Sequence, residues 1–238
     1  MVKTFKGGVF LPHYKELTEK LPIKNLPLPK EVVIPLRQHI GAPCQSLVQV
    51  GDEVKAGQKI GDSDAFVSSP VHASLDGKVK EIAEKISIAG DMVKSIVLEV
   101  NEVQEETAWK EEDIEVLDVS EIKKRIKEAG IVGMGGAAFP THVKLSPPKE
   151  IDTLIINACE CEPFLTCDHR LILERTEALL AGAKLVSKVL GDVKVVFGIE
   201  TNKEDALDLL KEKTASEKNV EVVALDTKYP QGSEKQLI

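Results

Sequence analysis

The stretch Thr153-Leu-Ile-Ile-Asn-Ala-Cys-Glu-Cys-Glu-Pro163 decides the fold. Its short apolar opening reads as a strand over 153–157 that ends in an amide and two carboxylates. The remainder of the chain alternates. A helix is expected over 168–190, with Asp168 as its N-cap and Gly191 as its stop. A strand over 193–198, a helix over 202–213 and a strand over 220–225 come next. Strands separated by helices predict a parallel α/β sheet. Ligands of such sheets bind at the carboxyl ends of the strands, where Asn157 and Gly198 fall.

Upstream of that strand, Ser120 starts a helix that runs to about Ala129 and stops at Gly130. Then comes Gly130-Ile-Val-Gly-Met-Gly-Gly-Ala-Ala-Phe-Pro-Thr-His-Val-Lys144. Gly133, Gly135 and Gly136 have no side chains, so backbone N–H groups can turn inward around an anion. Pro140 fixes the next turn, and Lys144 can reach back to a phosphate. No strand immediately precedes these glycines, so they are not the dinucleotide fingerprint. The same residues also suit a plain helix–loop connection.

The Asn157 amide offers donors and an acceptor that match the edge of an isoalloxazine or a nicotinamide. Glu160 and Glu162 either accept ribose hydroxyls and hold the nicotinamide amide, or form a solvated acidic loop. Cys159, Cys161 and Cys167, with His169, make a Cys-x-Cys-x5-Cys-x-His set that zinc could in principle close. The spacing matches no strong metal pattern, and Cys-x-Cys on an emerging strand points both thiols into packing. Clustered iron–sulfur spacing is absent. No metal ligand and no hydrolytic set of residues is assigned.

The N-terminal half reads differently. Residues 1–30 carry Pro12, Pro22, Pro27 and Pro29 and are expected to form an extended arm with one short helix near 14–20. From 31 to 100, short strands alternate with Gly and Pro turns, and Gly51-Asp-Glu-Val-Lys55 recurs as Gly90-Asp-Met-Val-Lys94. That echo predicts two similar hairpins in a small β-sandwich. Residues 101–119 form an acidic linker holding the single tryptophan, Trp109, and residues 120–238 form the α/β domain.

Composition limits the function classes. A net charge of -8 argues against a nucleic-acid partner. Residues 179–190, the longest apolar candidate, are broken by Lys184 and Lys188 and fall short of the ~18 residues of a membrane span. Met1-Val-Lys-Thr-Phe-Lys-Gly-Gly has no signal-peptide core, so a cytoplasmic location is expected.

Two resemblances add to this reading. Residues 51–61 and 69–79 resemble the biotinyl/lipoyl-type barrel-sandwich hybrid. No lysine lies between Lys59 and Lys78 to carry a prosthetic group, so a structural or docking role is expected. Gly-Met-Gly-Gly-Ala-Ala-Phe-Pro-Thr-His-Val-Lys144 and Asn157-Ala-Cys-Glu-Cys-Glu-Pro163 resemble the C subunit of the Rnf ion-translocating electron-transport complex. More distantly they resemble the NADH-binding flavoprotein subunit of complex I. The openings Phe5-Lys-Gly-Gly and Gln38-His-Ile-Gly-Ala-Pro-Cys44 are also similar to the Rnf subunit.

The resemblance implies a Rossmann-like domain with FMN held by Gly133, Gly135, Gly136 and Ala137, and with Lys144 and Asn157 at the flavin. Glu160 and Glu162 would face NAD(H), and Tyr229 would open a further cofactor-proximal loop. The implied activity is NADH:ferredoxin oxidoreductase. Its partners would be membrane-embedded Rnf subunits and a ferredoxin-like carrier, with the chain peripheral on the inner membrane face. The family continues into domains with two [4Fe-4S] clusters, so this chain is expected to be an N-terminal portion, with those clusters beyond it or on a partner. A cobalamin-reductase-like flavoprotein and an adaptor with an empty flavin pocket are the competing expectations.

Overall fold

The computed structural model describes residues 2–105, 112–134 and 137–238. The chain divides into two compact units, one of Leu26–Pro148 and one of Met1–Asn25 with Lys149–Ile238. The N-terminal arm thus groups with the C-terminal half. The expected helix at 120 and the glycine-rich loop group with the β-rich half. Trp109 lies outside the described residues, as do Gly135 and Gly136.

In the β-rich unit, β1 (Glu31–Pro35), β7 (Met92–Val100), β6 (Gly77–Ile86) and β3 (Glu53–Val54) form an antiparallel sheet in that order. A smaller antiparallel sheet joins β2 (Gln45–Ser46), β4 (Lys59–Asp62) and β5 (Val71–His72). Both sheets feed one core, in which Leu36, Ile60, Val79, Ile96 and Leu98 are almost fully buried. Ile96 and Leu98, two apart on β7, share one face with Val79, the partner of Leu98 on β6, and the removal of this cluster from water drives the packing. Gly51 and Gly90, the repeated glycines, both take left-handed backbone (φ +98° and +86°). Only Gly90 closes a hairpin, between β6 and β7; Gly51 joins β2 to β3 in different sheets, so the expected second hairpin is absent there.

Helix α1 (Val119–Glu128) comes next, opened by the Asp118 carboxylate, which accepts the Glu121 N–H at 2.9 Å. A loop then leads to the single turn α2 (Thr141–Lys144).

In the other unit, β10 (Val220–Leu225), β9 (Lys194–Glu200) and β8 (Thr153–Ala158) pair in parallel in that order. Asn157 stands opposite Gly198 in the register. The expected helix over 168–190 is instead two, α3 (Cys167–Glu174) and α4 (Thr176–Val189), broken at Arg175 (φ −135°, ψ 33°). Just past it, the Thr176 hydroxyl donates to the Ile172 carbonyl at 2.5 Å, a back-bond that tends to bend helices. Helix α5 (Glu204–Lys213) and the short α6 (Glu234–Leu237) complete the unit. Phe197, Ile199 and Leu210 are its fully buried centre.

The arm is structural here. Lys3 bridges Leu225 in parallel, and Val9 pairs with Tyr229 through N–H···O bonds of 2.8 and 2.9 Å.

Candidate functional site

The glycine-rich loop is closed at its base. Gly133 N–H donates to Phe139 O at 2.8 Å and Thr141 N–H to Ile131 O at 3.0 Å. The Ile40 N–H donates to Ala137 O at 3.0 Å, which ties the exposed tip to the β-rich unit. His142 is buried, with Nε2 3.0 Å from Phe66 O.

The Lys144 side chain lies against Gly133: a Cβ built on that glycine would stand 2.9 Å from its Nζ. Glycine is therefore required for the ammonium to rest over the loop. The expectation for Gly133 changes in kind. Its N–H is committed to Phe139, so it contributes space rather than a donor. A cation beside the bare main chain of Gly133 has the charge to meet a phosphate.

In the other unit, a second group of predicted residues lies near the carboxyl ends of β8 and β9. Asn157 Nδ2 donates to Gly232 O at 2.7 Å, and its Oδ1 accepts Cys159 N–H at 3.3 Å. The amide thus ties the loop that follows Tyr229, at Gly232, to the end of β8. A Cβ on Gly232 would sit 3.2 Å from Cys159 Cβ, 3.4 Å from Asn157 Oδ1 and 3.6 Å from Cys161 Sγ. Both thiols are buried there, and Cys161 Sγ accepts the Gly232 N–H at 3.4 Å. Burial pushes the Cys159 thiol up to about 12 and raises Cys161 as well, so both stay protonated.

The two glutamates separate. Glu160 is buried in left-handed backbone (φ +53°), and its carboxylate accepts Asp168 N–H at 2.8 Å and His169 N–H at 3.4 Å. It therefore caps α3, the role expected of Asp168, and also takes the Cys167 thiol at 3.2 Å. The acceptor atoms of Glu160, Cys167 and Asp168 lie within 4.8 Å of one another, a closeness this cap explains. Glu162 is exposed and leaves its carboxylate to solvent. Of the pair, it is the one whose carboxylate is not spent on capping a helix.

Three charged residues beneath this loop escaped sequence reasoning. Lys15, 4% exposed, donates to the main-chain oxygens of Glu160 (2.8 Å), Glu162 (3.1 Å) and Leu165 (2.6 Å). Burial, then the nearby Lys203, holds its ammonium below the usual lysine range. Lys203 and Glu200 are fully buried and paired at 3.2 Å, and Lys203 also donates to Cys159 O and to Asn202 Oδ1 at 3.0 Å. Burial raises Glu200 above the usual carboxylate range. A Glu-x-x-Lys step at a strand end was the available signal, but lysine is so seldom buried that it carried little weight.

Comparison with known proteins agrees with both halves. The family model described as the RnfC barrel sandwich hybrid domain matches residues 3–103. The model described as the Nuo51 FMN-binding domain matches residues 126–238. The chain is 44% identical over 239 residues to the C subunit of the Na(+)-translocating ferredoxin:NAD(+) oxidoreductase complex of Acetobacterium woodii, covering 99% of this chain and 54% of the relative. It is 46% identical over 247 residues to the proton-translocating counterpart of Clostridium ljungdahlii, covering 100% of this chain and 53% of the relative. The C subunit of the ion-translocating oxidoreductase complex of Haemophilus influenzae is 35% identical over 241 residues, with 98% of this chain and 29% of the relative covered. The chain thus spans about half the length of the first two relatives and less of the third.

Proposed function

This chain belongs to the RnfC family, the C subunits of Rnf complexes, and from that premise we propose that it is the FMN- and NAD(H)-binding portion of an electron-transfer subunit. The observation that carries the reading is the Lys144 ammonium resting over Gly133, a cation waiting on bare main chain. Bound flavin would supply the exchange between hydride and single-electron chemistry. The chain's own residues do the rest.

Lys144 neutralises the phosphate, and Asn157 holds the Tyr229 loop at the carboxyl ends of the strands. Glu162 offers acceptors for the hydroxyls of a nicotinamide nucleotide. Cys159 and Cys161, buried and protonated, pack against the turn at Gly232.

In this reading electrons pass between NAD(H) and a ferredoxin-type acceptor through [4Fe-4S] clusters held outside residues 1–238. Membrane-embedded Rnf subunits would hold the chain against the inner face of the cell membrane. No helix among the described residues is long and apolar enough to cross a membrane. The test is the visible spectrum and extracted-cofactor mass of the purified protein, followed by anaerobic NADH. A flavin spectrum that bleaches is expected. Colourless protein that takes up no added FMN would overturn the proposal.

A further inference from the structure

The segment from Cys159 to Thr166 takes a costly path. Glu160 and Phe164 both occupy left-handed backbone (φ +53° and +69°) without being glycine. Something must hold them there, and the arm supplies it. Phe164 N–H donates to His13 O at 2.8 Å, and the Tyr14 and Phe164 rings stack with centroids 4.9 Å apart. Thr18 and Thr166 share a hydroxyl bond of 2.8 Å.

At the centre lies Lys15, whose three donated bonds all end on main-chain oxygens of this loop, those of Glu160, Glu162 and Leu165. An ammonium has three hydrogens, and all three are used. The contacts read no side chain. They read the course of the backbone, and one of them is the carbonyl of Glu162 itself.

We propose that Lys15 is a positioning residue: it fixes where the Glu162 carboxylate stands, and through it the affinity for nicotinamide nucleotide. This rests on the reading of Glu162 as the nucleotide-facing carboxylate. A side chain locked by a second set of contacts meets its ligand without reorganising. Glu160 cannot substitute, because its carboxylate caps α3. A shift of the Glu162 main chain therefore has no second acid to absorb it.

The test uses the full-length, FMN-loaded, oxidised protein, with NAD+ as the ligand so that no electron transfer intervenes. Lys15→Met keeps the stem and removes the donors; Lys15→Gln returns two of them. Glu162→Gln is measured beside them. K15M is expected to weaken NAD+ binding about tenfold, K15Q less, with FMN affinity near wild type and an unfolding temperature that falls but stays above that of the assay. Amide hydrogen exchange should rise over 160–166 in K15M, confined to that loop. E162Q should weaken NAD+ to a similar degree without raising exchange.

If E162Q weakens NAD+ and K15M does not, the positioning role is overturned while the assignment of Glu162 stands. If E162Q binds NAD+ as wild type does, the assignment of Glu162 falls and this inference with it. Failure of both K15M and K15Q to fold would also overturn it, making Lys15 a determinant of the fold instead.

Discussion

Replacing Gly133 with alanine isolates the phosphate cradle from the stability of the fold. The added Cβ would stand 2.9 Å from Lys144 Nζ and 3.6 Å from Phe139 O. The second distance is ordinary contact, and Gly133 does not use left-handed backbone, so the main chain has no reason to move. The ammonium does. It sits at the free end of a flexible stem and is pushed off the loop.

A hydrogen bond to a charged group contributes about 1.5–3 kcal/mol, and each ~1.4 kcal/mol is tenfold in affinity. Gly133→Ala should therefore weaken FMN by about ten- to a hundredfold, as should Lys144→Met. Folding should change by no more than about 1 kcal/mol, in the stabilising direction, because alanine narrows the unfolded ensemble. Gly130→Ala is the contrast: its φ is +69°, its Cβ would meet Pro70 O at 2.5 Å, and it should lower the melting temperature. FMN titration by fluorescence quenching, with thermal melts of the apoprotein, separates these effects. If G133A binds FMN within about twofold of wild type while K144M does not, the ammonium is not held where the bare glycine leaves room.

Buried groups set other outcomes. Lys203→Met leaves the Glu200 carboxylate buried without its partner and should cost about 3–5 kcal/mol in urea unfolding. Adding Glu200→Gln should recover part of that; a loss below about 1 kcal/mol would contradict the pairing. Asp76 accepts the Ala56 N–H at 2.7 Å and the Glu105 N–H at 3.1 Å, which hold its carboxyl below the usual range. Its contribution is therefore present above the unfolded value of about 3.9 and disappears as pH falls through the lower folded value. Asp76→Asn should flatten that acid limb, and an unchanged limb would refute the assignment. Native protein treated with N-ethylmaleimide at neutral pH should label at exposed Cys167 first, slowly because burial and Glu160 raise that thiol. Cys44, Cys159 and Cys161 should react only on unfolding, as peptide mapping would show.

The parallel sheet was legible because its strands are short apolar runs set between helices with visible starts and stops. Asn157 falls one residue short of the end of β8, whereas β9 runs two residues past Gly198, where the pattern had ended it. The β-sandwich was legible from short strands set between Gly and Pro turns, although only one of the two repeated Gly-Asp turns closes a hairpin. What escaped were side chains whose role depends on distant neighbours. The bend at Arg175, beside a Thr176 hydroxyl bonded one turn back, left no mark in the local pattern. Glu160 looked like a ligand because nothing local shows that a carboxylate will turn onto the next helix's N–H groups. Lys15 lay in a proline-rich arm without periodicity, and its three acceptors lie 145 to 150 residues away in sequence.

The pairing of residue 3 with β10 governs how this molecule can be cut. Ala224 O accepts the Lys3 N–H, and Asp226 N–H donates back to Lys3 O, each at 2.9 Å. A gene fragment begun at codon 149 would shed those partners, the Val9–Tyr229 pair and the Lys15 ammonium together. It would leave a raw strand margin open to a stranger's backbone. The smallest excisable piece is discontinuous, so dissection calls for a permuted gene that splices codons 2–25 onto 149–238.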